Sequence, residues 1–129
     1  MNPKDYKYTK EHEWIRVEGD AGTIGITNYA QEQLGDIVSV EFPKEGKEFS
    51  AGDSMALIDS MKTTSDLYAP VSGEILEINV ELESRPELMN EDPYGEGWIL
   101  KLKIKDPKEL EGLMDVTEYE ALVAKEGET

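Results

Sequence analysis

Three kinds of side chain here could do chemistry: one isolated lysine, one histidine and a surplus of carboxylates. Lys62 stands in Asp59-Ser60-Met61-Lys62-Thr63-Thr64-Ser65-Asp66, a polar stretch between two apolar ones, and is the only basic residue between Lys47 and Arg85. A free lysine amine has a pKa of about 10.4 and is cationic at neutral pH. Acylation would remove the charge and could hang a reactive group on a long stem. A lone lysine at the tip of a turn suits a modifying enzyme, and the same residues also read as an ordinary solvated lysine. His12 is the only histidine. It has no partners at metal-ligand spacing, and no nucleophile elbow offers it a serine. It therefore reads as a packed or capping residue. Gly19, Gly22 and Gly25 are spaced by three, which does not match a phosphate loop, and suit a hairpin and close packing. With no cysteine in the chain, disulfides, thiolate zinc sites, iron–sulfur clusters and a cysteine nucleophile are excluded. Intrinsic catalysis has little support. A carrier needs less: one addressable lysine on a rigid support, and a surface on which enzymes can dock.

That support is legible as short strands. Ser54-Met55-Ala56-Leu57-Ile58 and Leu67-Tyr68-Ala69-Pro70-Val71 flank the lysine as a β-hairpin closed by Ser72-Gly73. Trp14–Glu18 alternates, Gly19–Gly22 turns, and Thr23–Ile26 pairs back. Asn28 is expected to cap a short helix from Tyr29 to Leu34, which Gly35 ends. Ile37–Phe42 alternates up to Pro43. Leu76, Ile78 and Val80 are expected to share one strand face. Ser84 offers a cap for a helical turn over Arg85–Met89. Trp98, Leu100, Leu102 and Ile104 alternate with Lys101, Lys103 and Lys105, a strand with a solvated lysine face. Asp106-Pro107 then starts a helical stretch, and Asp115 caps a last helix through Tyr119, Leu122 and Val123. Lys125 to Thr129 read as a frayed polar tail. The pattern predicts a mainly β domain, a small β-sandwich or flattened barrel with short peripheral helices and a C-terminal helix.

The 129 residues form one domain with a modest core. A net charge of −16 argues against nucleic acid as a partner and suits docking on basic protein surfaces. No apolar run approaches a membrane span. Met1-Asn2-Pro3-Lys4-Asp5 has no apolar signal core and no Arg- and Ser-rich transit segment precedes the domain, so the chain is expected in the cytoplasm.

A lysine followed by Ala69-Pro70-Val71-Ser72-Gly73 resembles the biotinyl/lipoyl attachment fold. Four further stretches narrow the resemblance: Tyr8-Thr9-Lys10-Glu11-His12-Glu13-Trp14, Thr23–Thr27, Leu34–Val38 and Asn90–Trp98. Together they resemble the H protein of the glycine cleavage system, from about Tyr6 to Leu122. The resemblance implies two antiparallel sheets with the lysine hairpin at one edge, and a lipoyl group on Lys62. It implies a monomeric carrier shared by a pyridoxal-phosphate glycine decarboxylase (the P protein), a folate-dependent aminomethyltransferase (the T protein) and a flavin-dependent dihydrolipoamide dehydrogenase (the L protein). A lipoate ligase or lipoyltransferase would load it. The aminomethyl cargo is a cation that water can hydrolyse, so a cleft with a carboxylate would protect it. The resemblance places that contact at Glu13, and Asp66, just past the lysine, is a second candidate. Around the lysine the family usually has Glu-Ser-Val-Lys-Ala, where this chain has Asp59-Ser60-Met61-Lys62-Thr63. Three alternatives stay open: a paralogous lipoyl carrier or relay donor, a biotin carrier, and an unmodified interaction module.

Overall fold

A computed structural model describes residues 6–127 of the chain. The expectation for Met1–Asp5 therefore lies outside the described residues, as does the end of the expected tail at 128–129. In chain order the elements are β1 (Lys7–Tyr8), β2 (Glu13–Glu18), β3 (Ala21–Ile26), α1 (Asn28–Leu34), β4 (Ile37–Glu41), β5 (Glu48–Phe49), β6 (Ser54–Ser60) and β7 (Thr64–Tyr68). There follow β8 (Gly73–Ile78), α2 (Glu81–Ser84), α3 (Leu88–Glu91), β9 (Leu100–Ile104), a 3-10 turn (Pro107–Gly112) and α4 (Val116–Gly127).

Two antiparallel sheets result, one of six strands in the order β1-β2-β3-β9-β8-β5 and one of three in the order β4-β6-β7. The two sheets are not joined into a closed barrel. The alternation seen in the sequence aims apolar side chains from both sheets into one core. Ile15, Ile24, Ile75, Leu100 and Leu102 come from the large sheet, and Met55, Ile58 and Leu67 from the small one. Each such side chain, fully buried, stabilises the fold by about 1.5–3 kcal/mol before the entropy of ordering is subtracted. A second, aromatic cluster of Tyr6, Tyr8, Trp14 and Tyr119 sits behind β2 and seats α4. Gly25 makes room for it, because a Cβ there would lie 2.7 Å from the Trp14 ring.

Several local expectations change in the structure. Thr27, not Asn28, caps α1, its hydroxyl accepting from the amide of Ala30. Asn28 is already helical and spends its side chain on Glu32 and Gln31. Leu76 is exposed while Ile75 is buried, the reverse of the expected face. The cause is a bulge: Ile75 pairs with Leu102 but Glu77 with Lys101, so Leu76 is the extra residue. Val80 lies beyond the strand and is exposed. Ser84 ends α2 rather than capping a turn, and the next helix begins at Leu88. The Asp115 cap is present, with Asp115 and Glu118 each accepting from the other's backbone amide. Helix α4 runs through Lys125 and Glu126 to Gly127, where the sequence suggested fraying.

Candidate functional site

Lys62 sits on the turn joining β6 to β7, with β7 the edge strand of the small sheet. Polar side chains brace this turn. The Ser60 hydroxyl accepts from the amide of Thr63 at 3.1 Å and donates to the Thr63 carbonyl at 3.0 Å. The amide of Ser60 closes the loop onto the same carbonyl at 2.8 Å. Asp59 accepts from Ser39 on β4 and from Thr64 on β7, at 3.0 and 2.8 Å, so it ties three strands together below the tip. The amide of Met61 donates to the Asp36 carbonyl, which anchors the tip to the segment after α1.

The lysine stem lies over the C-terminal end of α1. Its Nζ is 3.4 Å from the Gln33 carbonyl, where the exposed carbonyls of a helix end favour a cation. Gly35 follows with φ 76°, a conformation that suits glycine. A Cβ there would come within 3.1 Å of Lys62 Cε, so the same glycine ends the helix and leaves the stem room. Asn90 of α3 holds this junction from below, accepting from the amide of Ile37 and donating to the Gly35 carbonyl and to Gln31.

Glu13, the second residue of interest, opens β2 and is buried to 2% exposure. One carboxylate oxygen accepts from the Thr9 hydroxyl and the other from the amide of Tyr68 on β7, both at 2.7 Å. Burial pushes its pKa up from the ordinary 4.5 to about 7, against the Thr9 and Tyr68 hydrogen bonds and with some help from the charge of Glu11. Asp66 is exposed on β7, accepting from Ser54 at 2.7 Å and weakly from the Tyr68 hydroxyl. Glu13, Asp66, Ser65 and His12 line one cleft together with Gln33 and Leu34 of α1. Gln33, whose carbonyl lies 3.4 Å from Lys62 Nζ, is thus shared by the lysine and the cleft. On its other side Glu13 faces a second hollow, with Tyr68, Ala69 and Pro70.

His12 is absorbed by packing, as the sequence suggested. Its Nδ1 is 2.8 Å from the Tyr119 hydroxyl, its Nε2 is 3.1 Å from Glu126, and its ring lies against Tyr29. It is the one non-glycine residue with positive φ among those described. The site roles of Thr9, Tyr119 and Asn90 are not indicated by the sequence. Only Thr9, four residues before Glu13, could have been suspected. Among the described residues no group of His, Asp and Glu is arranged to hold a metal, and no helix is long and apolar enough to cross a membrane.

The family and the fold are shared with known proteins. The family model for the glycine cleavage H-protein matches residues 6–126. The glycine cleavage system H protein of Symbiobacterium thermophilum is 56% identical over 125 residues, covering 97% of both chains. That of Carboxydothermus hydrogenoformans is 54% identical over 98% of this chain and 97% of its own. The crystal structure of a glycine cleavage system H protein from Mycobacterium marinum superposes with a TM-score of 0.81 at 38% identity, over 92% of this chain and 95% of that one. With the two-sheet fold shared and the match running nearly end to end, the chain belongs to the glycine cleavage H-protein family, the lipoyl carriers of the glycine cleavage system, which are shuttles and not catalysts.

Proposed function

We propose that Lys62 is the lysine on which this carrier bears its lipoyl group, and that Glu13, with Asp66, lines the resting place of the loaded arm. The carrying observation is the tip itself. Lys62 is exposed on a braced turn, its amine held by a single 3.4 Å hydrogen bond, and its stem lies over a glycine where a Cβ would crowd it. These residues fit an acylated lysine, because the amine is free to be modified and the support under it is rigid. When bound, the lipoyl group supplies a disulfide ring that takes up the aminomethyl group and electrons and is later reoxidised.

The chain's own part is to present, shelter and be recognised. The tip presents Lys62 to the glycine decarboxylase, the aminomethyltransferase and the dihydrolipoamide dehydrogenase with which the family works, and to the lipoyl ligase. The cleft that Gln33 lines also holds Glu13, whose burial excludes water. A cation entering there would meet a carboxyl already oriented by Thr9 and Tyr68, and would favour its ionised form. Asp66 stands at the same cleft from the solvent side. Residues 1–129 act as a single lipoyl-carrier domain, monomeric and cytoplasmic, and the net charge of −16 suits docking on basic partner surfaces.

Intact mass after co-expression with a lipoate ligase tests the attachment. Wild type should gain one lipoyl group and Lys62→Ala none. Uptake by Lys62→Ala would remove the assignment, and capture of native material by streptavidin would point to biotin instead. The half-life of the cargo-loaded protein tests the cleft. Glu13→Gln and Glu13→Ala should shorten it while Lys62 is still lipoylated, and unchanged half-lives in both would place the shelter elsewhere.

A further inference from the structure

Met61 is 74% exposed, more than any other large apolar side chain among the described residues. Met55 and Met89 are buried, at 4% and 0%, and Met114 is half-buried. Met61 is not loose: its amide is held by the Asp36 carbonyl, and the turn beside it is closed by Ser60. Val38, 48% exposed, stands on β4 at the bulge opposite Ser60 and Asp59. Two apolar side chains are thus exposed on the small sheet that carries Lys62, with Asp36 bonded to the Met61 amide and Asp59 two residues before it. Any enzyme that acylates the Lys62 amine must cover the residue directly before it.

We propose that Met61 is a specificity contact for the enzyme that acylates Lys62, and that oxidation of its thioether by peroxide slows that acylation. The inference rests on Lys62 being the attachment site. The occupant is the acylating enzyme, with an apolar spot for Met61 and basic groups that suit the neighbouring Asp36 and Asp59 and the net charge of −16. In the oxidation, the O–O bond of hydrogen peroxide breaks, one oxygen bonds to the Met61 sulfur, and water leaves. Sulfur loses two electrons and peroxide gains them. The product is a polar sulfoxide, which sulfoxide reductases can return to the thioether. Since the chain has no cysteine, the unlipoylated protein offers no thiol to compete for the oxidant.

The experiment is the acylation rate of the unlipoylated protein with lipoate ligase, with peptide mapping of every methionine. Mild peroxide should oxidise Met61 first and spare Met55 and Met89. It should lower kcat/KM about tenfold, in the range that small contact changes command in specificity, and sulfoxide reductase should restore the rate. Met61→Gln should be slow without any oxidant. Met61→Leu should be acylated nearly as fast as wild type and be indifferent to peroxide. Wild-type rates in Met61→Gln, or equal peroxide sensitivity in Met61→Leu, would overturn the proposal while leaving Lys62 as the attachment site. Acylation of Lys62→Arg at the wild-type rate would overturn both.

Discussion

The Lys62 tip and the Glu13 wall solve opposite problems with the same kinds of bond. At the tip, Ser60, Asp59 and Thr64 brace an exposed turn, so the hydrogen bonds hold shape while water remains free to replace them. At the wall, Thr9 and Tyr68 bind a carboxyl that water has left, so each bond offsets a desolvation cost that nothing else can offset. Substitution at the tip should therefore disturb recognition with little loss of stability. Substitution at the wall should alter stability, and alter it with pH.

The largest effect expected is at Glu13. Below pH 4.5 the carboxyl is protonated whether the chain is folded or not, and contributes no pH dependence. Between 4.5 and about 7 the unfolded chain releases the proton while the folded chain keeps it. Folded stability therefore falls as pH rises through this window, and the loss is complete above about 7. The two values differ enough to make the loss about 3 kcal/mol. In Glu13→Gln the amide can still accept from Tyr68 and donate to Thr9, and it does not titrate. Urea unfolding of the two proteins from pH 4 to 8 should show the wild-type midpoint declining more steeply. Parallel curves would mean that Glu13 is as solvated as the tip, and the comparison would fail.

Asn90 comes next, because it supports the tip from within the fold. Its side chain makes three hydrogen bonds around Gly35 and Ile37, directly below the Lys62 stem. Asn90→Ala leaves the Ile37 amide and the Gly35 carbonyl without those partners, and should cost about 1–3 kcal/mol. It should also slow acylation of Lys62, since the end of α1 loses its fixed place. Chemical denaturation and the ligase assay check the two parts separately. A stability loss with an unchanged acylation rate would show that the tip keeps its shape without this support.

What could be read from sequence follows the range of the interactions involved. The hairpin around Lys62, the β2–β3 hairpin and the β9 strand were legible because alternation and turn residues are local signals. The face of β8 is not legible, because a bulge inserts Leu76 without any mark in its own segment. The cap of α1 differs from the expected one by one residue because Thr27 and Asn28 are both good caps, and only the Tyr119 hydroxyl beside Thr27 and the partners of Asn28 separate them. Lys62 could be singled out from its isolation and flanks. The burial of Glu13 could not, since it depends on an amide 55 residues away on β7. Its role comes through resemblance alone, and the bracing role of Asn90 has no local signal, because its partners lie more than 50 residues away.

The smallest expected effect belongs to Ser60, and it sharpens the contrast most. Its hydroxyl accepts from the amide of Thr63 and, at 3.3 Å, from that of Lys62, and it donates to the Thr63 carbonyl. Ser60→Ala removes these bonds, yet the backbone bond from the Ser60 amide to Thr63 remains. The turn is exposed, so water can take over the freed groups. The stability loss should be about 1 kcal/mol or less, at the low end of what a single hydrogen bond contributes. Acylation should suffer more in proportion, roughly threefold, because a looser turn spends less time with its lysine placed for attack. Thermal unfolding and single-turnover acylation of the same preparation would measure both. A large stability loss would mean that the tip is held as the wall is. An unchanged rate would mean that the ligase shapes the turn itself on binding.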